Sequence, residues 1–473
     1  MPAPAVTRAR FSQLALLAAA SLAAARIPLR ALAGPAAAAE PQAAGTYVMV
    51  AADPHYLSPR LNDRGPFFQA LMASSDGKVM WYVDELLDAF VDAVLAERPR
   101  ALVLAGDLTY NGALQSHEDL AAKLRRIVDA GIAVLVLPGN HDVYCDAAAR
   151  FEGDGCEFVP SATAEDFARI WGAFGYDAAL SRDEASLSYV FELAPDLRLL
   201  FVDANARETP CAVPQPTLAW VEGQLADALE AGAHVVSVTH QSLLGHTFVS
   251  EGYVVANAGE LLGLYRRYGV WANLCGHLHV QHVMCDEQGF AEMATSALSV
   301  APNHFARLVA TPFGDVDFGV SVMQEPGGDA GEQVWPAFVD GQGRLLRDPL
   351  QLRYATAPMG DLVSAWAERQ GSDDPNLLDF EAYARAFFDG TVDARNAMIL
   401  ELAYNGFAEA VEMVDFLLET NYAYFCGRLD LVEPQPALVA RWREANQVLG
   451  YYLMYAYQIA PVYDQNQLSA VLL

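Results

Sequence analysis

The stretch LCGHLHVQH, residues 274–282, closes an apolar run with a glycine and three histidines. The pattern recurs along the chain: YVMVAADPH (47–55), ALVLAGDLT (101–109), IAVLVLPGNHD (132–142), HVVSVTH (234–240) and VWANLCGHLH (270–279) are apolar, largely β-branched runs that each end in Asp, Asn or His. Such runs read as strands buried on both faces. Between the first two, WYVDELLDAFVDAVLAERP sets Val83, Leu86, Leu87, Phe90, Val91, Val94 and Leu95 at helical spacing and stops at Pro99. Between the second and third, Ser116 is expected to cap the helix SHEDLAAKLRRIVDAG, with Gly131 past its end. Strand, helix, strand, helix, strand predicts parallel pairing in an α/β fold, whose ligands gather outside the carboxyl ends of the strands.

The five strand ends carry Asp53, His55, Asp107, Asn140, His240, His277 and His279. These nitrogen and oxygen donors suit two divalent or trivalent transition-metal ions. In an extended segment D-x-H and H-x-H turn both members to one side, so each pair can face a single ion. The glycines of GDL, GNHD and GHLH let backbone approach closely.

In this order, D-P-H, G-D-L-T, G-N-H-D, T-H-Q and G-H-L-H resemble the motif set of the calcineurin-like metallophosphoesterases, over residues 46 to about 325. The resemblance implies an α/β (α+β) fold, a four-layer β-sandwich flanked by helices. It implies that Asp53, His55 and His279 hold a first metal, that Asn140, His240 and His277 hold a second, and that Asp107 bridges them. His141 matches the histidine that touches the phosphate and protonates the leaving oxygen, with Asp142 placed to orient it. Two ions, Mn, Fe, Zn or Co, would clamp the phosphoryl oxygens and make hydroxide available at neutral pH.

GDLTYNGALQSHEDLAAKL, PGNHD, FGYDAALSRDEASLSYV and GHLHVQH resemble bacterial cyclic nucleotide phosphodiesterases with an added helical C-terminal domain. That implies hydrolysis of a small phosphodiester. A phosphomonoesterase acting on extracellular nucleotides or other phosphates is the alternative, and a phosphate-ligand binding protein without turnover is a third reading. Tyr110 mimics the tyrosinate of purple acid phosphatases, but their first motif is D-x-G and His55 stands at that place here. Gln241 follows His240 where related enzymes often have a second His, which bears on substrate contact. Asn111 is a candidate substrate contact and equally a turn residue before Gly112. His117 reads as a surface residue at a helix start, His282 and His304 as lesser candidates for the pocket lining, and His234 and His246 carry no expected role.

Composition narrows the partners. The chain has 473 residues, 53% of them hydrophobic, and a net charge of -30. It can bury a large core, and cores rarely grow past about 250–300 residues, so two units are expected. The acidic field disfavours nucleic acid polymers and anionic membranes; a small phosphoester, met at contact distance by bound cations, is the expected partner. Residues 1–39 read as a signal segment, with Arg8 and Arg10 before FSQLALLAAASLAAA, which implies a secreted or cell-surface protein. No span is expected in the mature chain unless that segment stays uncleaved. Six cysteines form no C-x-x-C pair; Cys145 with Cys156 and Cys275 with Cys285 are close enough in sequence to bridge, and buried free thiols are equally expected. After a linker over 326–350, residues 351–473 show helical periodicity throughout, with an aromatic run GYYLMYAYQ near the end.

Overall fold

The computed structural model describes residues 47–73, 78–246, 252–286, 288, 290–300 and 303–312, strand segments 321–324, 333–334 and 350–357, and helical stretches within 359–416 and 435–444. The proposed export segment and the tyrosines of GYYLMYAYQ lie outside the described residues. No helix among the described residues is long and apolar enough to cross a membrane.

Strand β1 (Tyr47–Ala51), helix α1 (Val83–Glu97), β2 (Ala101–Ala105), α2 (Leu114–Asp129) and β3 (Ala133–Leu137) follow in the order the apolar runs predict. β1 pairs with β2 and β2 with β3, both parallel. Every residue of β1 and β2 is buried, because helices cover one face and the second sheet the other. Each Val or Leu so enclosed contributes about 1.5–3 kcal/mol. Helix α1 ends at Arg98 in the left-handed region, and Pro99 cannot continue it. Ser116 does not cap α2. The helix starts two residues earlier, and the buried Ser116 hydroxyl instead accepts the backbone N–H of Ser58 at 3.1 Å.

A second sheet is built from β4 (Tyr189–Ala194), β5 (Leu197–Phe201), β6 (His234–Val238), β7 (Ala272–Cys275), β8 (His282–Cys285) and β9 (Ala291–Ala294), with helices α3 (Gln215–Ala231) and α4 (Ala258–Tyr268) between. Its order is β8-β9-β7-β6-β5-β4, followed by the short strand Ser181–Arg182. Both sheets have seven strands, and Ala52 bridges to Ala297 between the loops that leave them. The five strand ends named above are therefore divided, three on one sheet and two on the other.

The first sheet extends further than expected. β10 (Phe305–Pro312) pairs antiparallel with β1, and then come β11 (Ser321–Gln324), β12 (Gln333–Val334) and β13 (Leu350–Ala357), in the order β12-β11-β13-β10-β1. Residues 350–357 thus belong to the first sheet, where β13 pairs with β10 along its whole length; among the described residues beyond them, helical structure starts at α5 (Gly360–Gln370) and α6 (Pro375–Leu378). Met359, Val363, Ala367, Leu377 and Phe380 join the core cluster that holds β1 and α1, and Tyr82 hydrogen-bonds Asp374. Cys145, Cys156, Cys211 and Cys275 are free thiols, so neither sequence-adjacent pair is bridged.

Candidate active site

The loops leaving neighbouring strands stay zipped together beyond the sheet. Asp53 N–H donates to Gly106 O at 3.1 Å and His55 N–H to Asp107 O at 3.0 Å. On the other sheet Thr239 N–H donates to Leu274 O and Gly276 N–H to His240 O, each at 3.0 Å. Between the sheets, the His277 N–H reaches both carboxylate oxygens of Asp53 at 3.1 and 2.9 Å. These bonds bring all seven expected donor residues to one place.

Two donor groups result. Asp53, His55, Asp107 and His279 each offer one ligand atom within 4.8 Å of the others, and Asp107, His240 and His277 form a second such group. Asp107 belongs to both: Oδ1 lies 3.3 Å from His240 Nε2 and Oδ2 lies 3.8 Å from His55 Nε2. Asn140 joins the second group, with Oδ1 3.1 Å from His240 Nε2. Asp53, His55, Asp107 and His240 form a buried floor, while His277 and His279 are half-buried and Asn140 is exposed at the rim.

Backbone shape reflects the convergence. Asp53, His55, Asp107, His277 and His279 have φ of 51°, 45°, 47°, 66° and 55°, a left-handed region that costs a non-glycine residue roughly 1–2 kcal/mol. Strain of this kind persists only where the surroundings over-determine it, and it clusters at functional sites. At Gly139 a Cβ would lie 2.2 Å from Asp107 Oδ1, and at Gly106 one would lie 2.3 Å from His240 Nδ1. The glycines let the backbone press on the ligand side chains themselves.

The hydrogen bonds also choose which nitrogen each ring presents. His240 Nδ1 donates to Ala105 O at 2.8 Å, which turns Nε2 toward Asp107. His277 Nε2 donates to Gly252 O at 3.0 Å, leaving Nδ1. His141 Nδ1 donates to Tyr110 O at 2.9 Å, leaving Nε2 3.9 Å from Asp107 Oδ2. Partners of this kind fix the tautomer of metal-binding imidazoles. His55 Nδ1 is buried with no hydrogen-bond partner, and its Nε2 faces His279 Nε2 at 3.0 Å.

Charge matches the geometry. Burial, followed by the nearby Lys78 ammonium, holds the His55 pKa well below its ordinary value, and burial with the neighbouring His240 lowers His277 to about 4. Both are neutral donors at pH 7. Burial opposes charge on His240 and Asp107 as well, but their mutual attraction and hydrogen bond outweigh it, raising the imidazole and lowering the carboxyl. A carboxylate that draws protons onto a neighbouring imidazole at a buried, oxygen- and nitrogen-rich centre is a cavity built for positive charge. The donor set fits a pair of metal ions.

A family model described as calcineurin-like phosphoesterase matches residues 46–281. The chain belongs to that family. A second model, described as the C-terminal domain of cyclic nucleotide phosphodiesterase, matches residues 362–458. Comparison with curated proteins finds no match. Similar solved structures include a dimetal phosphatase from Danio rerio (13% identity, 56% of this chain and 93% of that one, TM-score 0.41). They also include GAP50, the anchor in the inner membrane complex of Plasmodium (13% identity, 53% and 71%, TM-score 0.31), and the sulfate thiohydrolase SoxB of Thermus thermophilus (12% identity, 70% and 61%, TM-score 0.33).

In this metallophosphoesterase several residues do other work than the motifs imply. Asp142 does not orient His141. Its oxygens accept from the N–H groups of Leu108, Thr109 and Gly139 and from Thr109 Oγ1, at 2.8–2.9 Å, which locks the Asp107 loop to the Asn140 loop; the carbonyl of Tyr110 orients His141. Asn111 has its amide hydrogens on the carbonyls of Ala147 and Ala149, so it braces a loop and offers no donor to a phosphate. Gln241 is buried, its amide nitrogen 2.5 Å from Asn205 Oδ1.

His117 is no surface residue. It is fully buried, accepts from Trp171 Nε1 at 3.1 Å and donates to Asp142 O at 2.8 Å. Sequence reasoning also missed the carbonyls of Ala105 and Gly252, for which no side-chain signal exists. It gave no role to His246, which is buried against Glu292 and His282. A histidine six residues past a ligand histidine was the only available signal.

Proposed function

We propose that this metallophosphoesterase hydrolyses a small phosphodiester of cyclic-nucleotide type with two transition-metal ions, Mn, Fe or Zn. The observation that carries the two-ion reading is Asp107, whose two oxygens face different histidine groups. In this reading Asp53, His55 and His279 would hold one ion and Asn140, His240 and His277 the other, with Asp107 available to both groups. When bound, such ions supply a hydroxide nucleophile and neutralise phosphoryl oxygens.

The chain's own residues do the rest. Asp142 and His117 hold the 107 and 140 loops in register. The half-exposed His141, fixed through Nδ1 by the Tyr110 carbonyl, turns Nε2 to the substrate side and protonates the departing alkoxide, a step worth roughly 10²–10⁴-fold. The diester is favoured over a monoester by the match of residues 362–458 to a domain described from cyclic nucleotide phosphodiesterase. Residues 1–39 would direct export; N-terminal sequencing of protein recovered outside the cell, starting near residue 40, checks this.

The test of function is a substrate panel on metal-reconstituted protein, with Asp107→Ala as control. Cyclic nucleotides and a model diester should turn over faster than a model monoester. Preference for the monoester would install the phosphomonoesterase reading, and metal-loaded protein inert on both would favour a binding protein.

A further inference from the structure

Beneath the loop that follows His240 lies a fully buried carboxylate that the proposed reaction does not use. Glu292 sits in β9 at 0% exposure. It accepts from Leu243 N–H at 2.9 and 2.8 Å, Leu244 N–H at 2.7 Å, Asn273 Nδ2 at 2.6 Å and His246 Nε2 at 3.0 Å. Asn273 extends the network: Nδ2 also donates to Thr239 Oγ1 at 2.7 Å, and Oδ1 accepts from Ser237 Oγ at 2.7 Å. Thr239 Oγ1 in turn donates across His240 to Gln241 O at 2.7 Å. Backbone on both sides of His240 is thus tied to a Glu292–Asn273 pair on the adjoining strands.

The same loop returns to the site at Gly252, whose carbonyl sets the His277 tautomer. Its two arms are joined by Ser242 N–H to Tyr253 O at 3.2 Å and Val255 N–H to Ser242 O at 2.9 Å. One loop therefore carries His240 and orients His277, the two histidines of the second donor group. Asp53 and His55 hang from the other sheet.

We propose that Glu292 is a positioning residue for the second cation position only, a selectivity that rests on the two-ion reading above. His246, Cys275 and Glu292 also lie close enough to hold an ion themselves, but the hydrogen bonds argue for a clamp. The Glu292 lone pairs are already engaged by four groups. With His246 Nε2–H on Glu292, its Nδ1 accepts from His282 Nδ1–H at 2.9 Å, so the imidazole has no lone pair left for a cation. Glu292→Gln would turn an amide donor toward backbone N–H groups and loosen the loop, and outer partners of metal ligands typically set 10–100-fold in affinity.

The experiment titrates full-length, metal-free protein with Mn²⁺ alone, following equivalents bound calorimetrically and exchange coupling by EPR. Wild type should bind two coupled equivalents; fewer would sink the two-ion reading itself and this inference with it. Glu292→Gln should keep the first equivalent at unchanged affinity, bind the second about 10–100-fold more weakly, and show an uncoupled Mn²⁺ signal. His246→Gln, which leaves the backbone clamp intact, should weaken the same equivalent by a smaller factor. Equal weakening of both equivalents, no weakening in folded variants, or failure of both variants to fold would overturn the inference. So would a third wild-type equivalent lost in Glu292→Gln.

Discussion

The first sheet brings to the site two carboxylates, an amide and one donor histidine, Asp53, Asp107, Asn140 and His55; the second brings histidines alone, His240, His277 and His279. Each donor group crosses the seam, since the first takes His279 from the opposite sheet and the second takes Asp107. The anionic half thus comes from one sheet and three of the four donor imidazoles from the other, and no cation position is complete until the sheets dock. Their polar clusters differ too. On the first sheet Arg307 of β10 binds Glu97, the last residue of α1, at 2.9 and 2.7 Å in a part-exposed pair, whereas the second buries Glu292 under the His240 loop.

The contrast breaks most completely at Asp107. Asp107→Ala should lose both metal equivalents by elemental analysis and on the order of 10⁴-fold or more in kcat/KM, because groups acting as a unit fail together. Single-sheet changes should split the pair: His55→Ala should remove the first equivalent and spare the second, and His277→Ala the reverse, each measured by Mn²⁺ titration and each costing on the order of 10³-fold in turnover.

His141 lies outside both groups. His141→Gln should keep both equivalents yet lose roughly 10²–10³-fold on an aliphatic-leaving-group diester and far less on a nitrophenyl one; equal losses on the two would remove its acid role.

pH should separate the sheets further. His240 is held charged above its ordinary range by Asp107, so a cation at the second position must expel a proton, while His55 is already neutral. Second-equivalent affinity should rise about tenfold per pH unit between pH 6.5 and the raised His240 value, with first-equivalent affinity nearly flat. In metal-free protein the sign reverses: the raised histidine lends stability that is fully present below about pH 6.5 and fades as pH climbs through its folded value, visible as a falling melting temperature in chelator. The smallest effect is expected at Arg307→Met, about 1 kcal/mol of stability by denaturant unfolding with both equivalents retained.

Much of this centre was legible in the sequence because each donor sits at the end of a strand, where local pattern and spacing coincide. Asp53 and His55 share one donor group as their spacing suggests, whereas His277 and His279, whose backbone is left-handed and not extended, fall in different groups; the apolar runs before all four read directly as buried strands. The misreadings share a cause. Ser116 and His117 look like the exposed start of a helix, yet the 58 and 171 segments cover them. Residues 350–357 look like the entry to a helical region, yet they pair with β10, far away in sequence, and that pairing overrides local pattern. Asp142 follows His141 directly, but backbone direction turns its carboxylate to the N–H groups of 108, 109 and 139.

Sequence by itself determined the donor inventory, the parallel strands that carry it and the family to which the chain belongs, since these depend on residue type and periodicity. Tertiary structure alone decided which nitrogen each histidine offers, which residue orients His141 and what lies beneath His240. Those outcomes rest on the carbonyls of Ala105, Tyr110 and Gly252 and on a buried Glu292. A backbone carbonyl is the same group whatever the residue, so its arrival from a distant segment leaves no mark in the one-dimensional code.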